Sequence, residues 1–213
     1  MPSCAPKPRP CCGTWRRRRA GPSPTRPEPM NLYWRLLLVW LGARHKPKVT
    51  LGDTIELQLT VLPSDVDLNG HMNNGRYLTI VDLALVAYMT RAGFMAHALR
   101  RGWRPMLGGS MIAYRRGLKP LRRYTLRFAI TCWDARWSYI RFEFVRDGVT
   151  VASGHAKGGI VGPRGIVGSA QMCEALAIDP VSPPVPPALA AWIEADRLLR
   201  ASIETPTIDK ECA

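Results

Sequence analysis

Acidic residues are scarce in this 213-residue chain: 16 Asp and Glu stand against 30 Lys and Arg, a formal net charge of +14. So basic a body draws polyanions by its long-range field, whether nucleic acid, acidic protein, anionic lipid or a phosphorylated cofactor. Charge alone does not choose among these, and a solvated surface without any such partner carries the same count. Long apolar runs are also missing. The run Leu36 to Leu41 falls far below the ~20 residues that span a bilayer. It has no small-residue cleavage pattern, which argues against a secretory signal. The six cysteines (Cys4, Cys11, Cys12, Cys132, Cys173 and Cys212) include no Cys-x-x-Cys pair and no Cys/His cluster with zinc spacing. Free thiols in a reducing, cytoplasmic setting are expected, with no structural disulfide, no metal and no resident cofactor. Internal repeats are absent.

What the chain does have is a 46 % apolar content, enough for one well-cored domain and too short a length for two. Residues 1–29 hold eight of the 19 prolines, the run Arg16–Arg19, and seven basic groups against one acid. Such a segment cannot bury enough surface to offset its ordering entropy and is expected to be a disordered leader. It is either an arm for nucleic acid or a membrane surface, or the product of a start site placed upstream of Met30; the second is favoured. Residues 30–50 follow as a short helix, Met30 to Arg44, and a linker. That helix is expected to pack on the domain, or to touch a membrane peripherally through Trp34, Trp40 and nearby cations.

From Thr54 onward the pattern sharpens, opening the main domain at 51–168. Ile55, Leu57, Leu59 and Val61 alternate with polar neighbours, the period of a half-buried strand. A polar loop follows. Tyr77 to Ala98 is then apolar almost all the way round, which predicts a long helix enclosed on most sides. Four strand-like stretches come next: Met106–Arg116, Tyr124–Trp133, Trp137–Arg146 and Val149–Val161. Asp147-Gly148 is read as a tight hairpin turn between the last two. Gly154, Gly158 and Gly159 signal bulges or close backbone approach. Strand, buried helix, four strands is the order expected of an antiparallel sheet curled around one helix, an α+β fold. Residues 169–213 read as a C-terminal helical extension, with a Pro-rich linker and an amphipathic helix whose apolar side is Leu189, Trp192, Ile193 and Leu199.

The chemistry concentrates in Leu62 to Tyr77, where Asp65, Asp67, Asn69, His71, Asn73 and Asn74 crowd a loop leading into the apolar helix. The first N–H groups of a helix lack intrahelical partners, and the peptide dipoles add partial positive charge there. A thioester or ester carbonyl docked against them would have its developing oxyanion stabilised. Asp65 or Asp67 would attack that carbonyl or take a proton from water. His71 would hold a proton, orient the substrate or pin the loop, and the Asn amides would fix a water or cap the helix. Loops of Asp, Asn and Gly are commonly no more than turns and caps; the polar density beside so apolar a helix favours chemistry.

The series Asp65-x-Asp67-x-Asn69-x-His71-x-Asn73-Asn74-x-x-Tyr77, with Leu78 and Asp82, resembles the signature of the hotdog-fold acyl thioesterases. Within that superfamily it is similar to the thioesterase superfamily member 6-like proteins, over about Thr54 to Val161. The resemblance implies a five-stranded antiparallel sheet wrapped around one long central helix, with extra C-terminal helices, and hydrolysis of an acyl thioester. By position, Asp65 matches the nucleophile or general base of the 4-hydroxybenzoyl-CoA thioesterase-like branch, whereas Asp67, Asn69 and His71 match the Asp-x-Asn-x-His trio of the plant acyl-ACP thioesterases. The two assignments compete for the carboxylate, with Asp65 ahead. Asp82 matches a helix carboxylate that is catalytic in another branch, or is a buried acid bonded to the loop. The hotdog dehydratases carry Asp-x-Asn-Pro-x-His, and this loop lacks that Pro and spacing.

Resemblance also gives the basic cluster Arg115, Arg116, Lys119, Arg122 and Arg123 a role. Coenzyme A, as part of the substrate, brings phosphates, and the alternative acyl carrier protein is acidic; either is drawn to such a patch. The same cations on a strand edge also discourage aggregation without any ligand. Hotdog proteins dimerise, so a homodimer or dimer of dimers is expected. A catalytically silent acyl-binding or interaction protein is the alternative. Nucleic-acid binding is not expected, because the basic strands lack interleaved aromatics beyond Tyr114 and Tyr124.

Overall fold

A computed structural model describes residues 31–204; the leader, Met30, the C-terminal tail, and Cys4, Cys11, Cys12 and Cys212 lie outside the described residues. Helix α1 (Asn31–Arg44) precedes strand β1 (Ile55–Thr60). A single 3-10 turn (Pro63–Asp65) and the polar loop lead into helix α2 (Asn74–Arg91), followed by α3 (Phe94–Arg101). Strands β2 (Arg104–Tyr114), β3 (Arg123–Trp133), β4 (Ser138–Arg146), β5 (Val149–Gly162) and β6 (Gly165–Val167) come next, then α4 (Ser169–Leu176) and α5 (Pro187–Glu204).

The five long strands form one antiparallel sheet in the order β1-β3-β4-β5-β2, and the three-residue β6 adds to β5. The sheet curls around α2. Ile55 and Leu57 of β1, Leu126 and Phe128 of β3, and Ile140, Phe142 and Phe144 of β4 are buried together with Tyr77, Ile80, Leu83, Ala84 and Tyr88 of α2. Edge-to-face contact of Tyr77 with Phe144 (4.8 Å between centroids) and tilted contact of Tyr88 with Phe128 (5.5 Å) lock helix to sheet. The β4–β5 hairpin turns on Asp147 and Gly148, both at positive φ, as its two-residue sequence requires.

Three details depart from the periodicity. The apolar stretch Tyr77 to Ala98 is not one rod: Gly93, at φ +77°, ends the first helix, and α3 leaves at 91° to α2. The turn buries Phe94 against Trp103 in a second apolar cluster with Met89, Ile160 and Met172. Nor is α2 enclosed all round, because Asp82 lies exposed on a face the sheet does not cover. In β3 an irregularity between Ile130 and Cys132 shifts the alternation by one, so Cys132 pairs with Tyr139 and packs under α5 rather than on α2. Of the α5 residues read as apolar-facing, Leu189, Trp192 and Ile193 do pack there, while Leu199 is exposed. Among the three glycines of β5, Gly154 lies so close to the Met111 carbonyl that a Cβ would overlap it, and Gly159 sits under Trp137, whereas Gly158 has room.

Candidate active site

The loop between β1 and α2 folds as a small, closed device. Val66 and Met72 form an antiparallel bridge, Asp67 N–H donates to the His71 carbonyl (3.0 Å) and Gly70 N–H to the Asp67 carbonyl (3.0 Å). Asp67 Oδ1 accepts the Asn69 N–H (2.9 Å), an Asx turn that leaves its other carboxylate oxygen without a partner among the described residues, on a half-buried side chain. Leu68, at the tip, is fully exposed. Asn73 caps α2: its Oδ1 accepts the Gly75 N–H (2.9 Å) and its carbonyl accepts the Arg76 N–H. The Asn74 N–H is left with no partner among the described residues and stands at the positive end of an 18-residue helix. Tyr114 donates its hydroxyl to the Asn74 carbonyl (3.1 Å).

Asp65 is differently occupied. It is almost fully buried, and its Oδ2 accepts Arg35 Nη1 (2.8 Å) and the Leu62 N–H (3.0 Å), while its carbonyl takes the Asn73 N–H (2.8 Å). The buried Tyr124 hydroxyl lies against the same Arg35–Asp65 pair, and burial pushes its pKa well above the ordinary tyrosine range. Asp65 thus ties α1, the 3-10 turn and the start of α2 into one unit.

The segment after β2 packs directly beside this loop. Met72 N–H donates to the Leu118 carbonyl (2.8 Å), Leu121 N–H to Val61 and Val61 N–H to Arg122. The half-buried His71 ring lies over Gly117 so tightly that a Cβ there would come within 2.5 Å of it. Arg115, Arg116, Lys119, Arg122 and Arg123 are therefore carried on the segment lining the polar loop, all exposed, and none forms an ion pair with a described residue. Six of the sequence-derived loop residues and the basic cluster come together. Asp82 does not join them: it lies two turns along α2, about 12 Å from Asn74 at 1.5 Å per residue. It stands at the mouth of an apolar cavity of about 330 Å³ between α2 and the sheet. Desolvation there holds its carboxyl above the usual carboxylate range, even though the side chain reaches the surface.

Sequence reasoning missed Arg35, although it is the only charge inside an apolar helix, and that was the available signal. It also missed the cavity, whose floor of Ile130, Ile140, Ile160 and Met172 comes from four separate elements, β3, β4, β5 and α4.

A sheet curled around one helix whose N-terminus meets a polar loop defines the hotdog class. The chain belongs to the Thioesterase-like superfamily, which matches residues 61–193. Protein THEM6 of Xenopus laevis is 37 % identical over 109 residues, 51 % of this chain and 53 % of its own. The chain spans about half the length of the curated relatives it matches first. Among solved structures, the probable thioesterase YbaW from Escherichia coli aligns with a TM-score of 0.54 at 14 % identity, covering 58 % of this chain and 96 % of its own. The protein SAV2348 from Staphylococcus aureus, solved in complex with CoA, aligns with a TM-score of 0.50 at 13 % identity over 66 % of this chain and 94 % of its own. These two likenesses establish the fold.

Proposed function

We propose that this protein hydrolyses a long-chain acyl-CoA thioester at the N-terminus of α2, with Asp67 as the acting carboxylate. The single observation behind the reading is the meeting, in one place, of an unpartnered Asn74 N–H at a helix start, the free carboxylate oxygen of Asp67 and an uncompensated basic segment. The helix end stabilises the oxyanion, and removing one such donor typically costs about 3–4 kcal/mol of transition-state stabilisation. Asp67 takes a proton from the attacking water, or attacks the carbonyl itself to form an acyl-aspartyl anhydride that a water then hydrolyses to the free acid; in both routes the thiolate leaves and is protonated by solvent or by His71. Asp67 is favoured over Asp65 because Asp65 is almost fully buried and ion-paired with Arg35, whereas Asp67 is half-buried and carries no ion pair with a described residue. The exposed cations of the 115–123 segment suit the phosphates of coenzyme A. The family, the thioesterase relatives by fold and the CoA-bound neighbour are consistent with this reading.

Acyl length follows from a ruler along α2. Gly75, Leu78, Asp82, Val86 and Met89 share one helix face, running from the helix start to the cavity. Strand β2 lies antiparallel beside it, with Tyr114 at Asn74 and Met106 and Leu107 at the cavity mouth. Carbon–carbon bonds of about 1.5 Å at the tetrahedral angle advance about 1.25 Å each, so about nine or ten carbons cover the 12 Å to the mouth. The 330 Å³ cavity then takes about ten methylenes, counted at about 30 Å³ apiece, the share of a liquid water. A tail of about 16–20 carbons fits. Among the described residues β2 is an edge strand that exposes Met106, Leu107 and Met111; pairing of this edge with that of a second copy would make a homodimer and cover the ruler face.

Hydrolysis of an acyl-CoA series by the wild type and by Asp67→Asn tests the proposal. We expect kcat/KM to climb toward the long chains and to fall by more than a hundredfold in Asp67→Asn. Turnover retained in that variant sinks the assignment of Asp67. A lack of turnover on every chain length, with binding preserved, gives the silent acyl-binding alternative.

A further inference from the structure

Helix α1 is apolar on two opposite sides, and among the described residues only one is packed. Leu32, Leu36, Val39 and Ala43 pack on the core. The opposite stripe of Tyr33, Trp34, Leu37, Leu38 and Leu41 is 39–69 % exposed, with the i, i+1, i+4, i+5, i+8 spacing of one helical face. Together these five side chains present on the order of 500 Å² of apolar surface, the upper range for a patch on a monomer and commonly a functional one. From Asn31 to Gly52 there is no acid. Arg44, His45, Lys46 and Lys48, all exposed, crowd the C-terminal end of the helix, and the Arg44 guanidinium lies 4.8 Å over the Trp40 ring.

We infer that the outer face of α1 docks on an anionic lipid surface, lying in the headgroup boundary. Fourteen residues rise about 21 Å, short of the ~30 Å hydrocarbon thickness, so the helix lies on the bilayer; no single described helix is long and apolar enough to cross one. Trp and Tyr favour the interface, leucines fill the acyl boundary, and the adjoining cations meet anionic headgroups. Charge complementarity selects lipid over a second copy of this chain, since the acid-free stretch from Asn31 to Gly52 offers another copy no carboxylate to pair with Arg44, Lys46 and Lys48, in a protein of net charge +14. The inner side of the same helix carries Arg35 to Asp65, so docking would set the site loop within one helix diameter of the lipid, about 10–12 Å. The inference stands independently of which acyl group is cleaved.

The test is flotation of the full chain with vesicles of phosphatidylcholine alone or mixed with phosphatidylserine, read together with size-exclusion mass. The wild type is expected to float with the mixed vesicles, and Trp34→Glu/Leu38→Glu to lose binding by at least about tenfold with an unchanged melting curve, because both side chains are exposed. Lys46→Glu/Lys48→Glu, which leaves the helix intact, is expected to weaken binding to the mixed vesicles only. Binding by the Trp34/Leu38 variant equal to wild type overturns the inference, because the basic leader or body would then be the lipid contact. A wild type that ignores vesicles but is reduced in oligomer size by the same substitutions overturns it in favour of a contact between copies.

Discussion

Removing Arg35 while leaving Asp65 in place separates the clamp from the chemistry. In Arg35→Met the Asp65 carboxylate stays 3 % exposed and keeps only the Leu62 N–H. Breaking a buried ion pair from one side costs about 3–5 kcal/mol, because the surviving charge is left uncompensated. For a domain of this size about 2–4 °C is lost per kcal/mol, so the melting temperature should fall by roughly 6–20 °C. Asp65→Asn keeps the Leu62 bond but strands the Arg35 guanidinium, itself only 13 % exposed, and should cost a similar amount. Arg35→Met/Asp65→Leu removes both charges, and should recover much of the loss, a non-additivity of about 2–4 kcal/mol in a double-mutant cycle. Thermal melts by circular dichroism and kcat on a long acyl-CoA, measured below each variant's transition, are the two readouts. Asp65→Asn that melts within about a degree of wild type yet loses turnover as completely as Asp67→Asn would refute the clamp and make Asp65 the catalytic carboxylate.

Asn73→Ala deletes the α2 cap and should cost about 1 kcal/mol, a fall of about 2–4 °C, with a drop in kcat as the helix start frays. Burial raises the Asp82 carboxyl above its ordinary 3.8, so its ionisation is harder in the folded state. The folded protein should lose stability as pH rises from about 3.8 through the raised value and then stay level. Asp82→Asn should melt higher than wild type at neutral pH, with the difference vanishing below pH 3.8. Arg115→Ala/Arg116→Ala should raise KM for acyl-CoA and weaken its salt dependence while leaving KM for the same acyl group on a phosphate-free pantetheine-type thiol unchanged; equal effects on both substrates would remove the phosphate role. Gly158→Val, which adds a side chain where a Cβ has room beside the cavity floor, should shift the preferred acyl length down by several carbons, read from kcat/KM across the series.

Local pattern carried the fold far. Alternation of Ile55, Leu57 and Leu59, the Phe142 and Phe144 face, and the Asp147-Gly148 turn each describe a few neighbouring residues, and neighbouring residues obey the periods of the backbone they sit on. The pattern misled where one residue changes the count. An irregularity after Ile130 moved Cys132 to the other face, and Gly93 cut an unbroken apolar stretch into two helices at 91°. Polar residues of the loop were legible as a group, since Asp65 to Asn74 are consecutive. Their division of labour was not, because Arg35 arrives from 30 residues upstream to occupy one acid and not the other.

By itself, then, the sequence determined the element order, the helix that forms the core, and the polar loop that meets it, because those depend on spacing along the chain. Only the tertiary structure decided which carboxylate is buried in an ion pair and which is half-open, that the basic segment lines the loop, that a cavity of about 330 Å³ lies at the end of the α2 face, and that one side of α1 is left bare by the other described residues. Each of these depends on groups far apart in the chain arriving within a few ångströms of one another, and desolvation and electrostatic pairing are properties of that proximity rather than of any local run of residues.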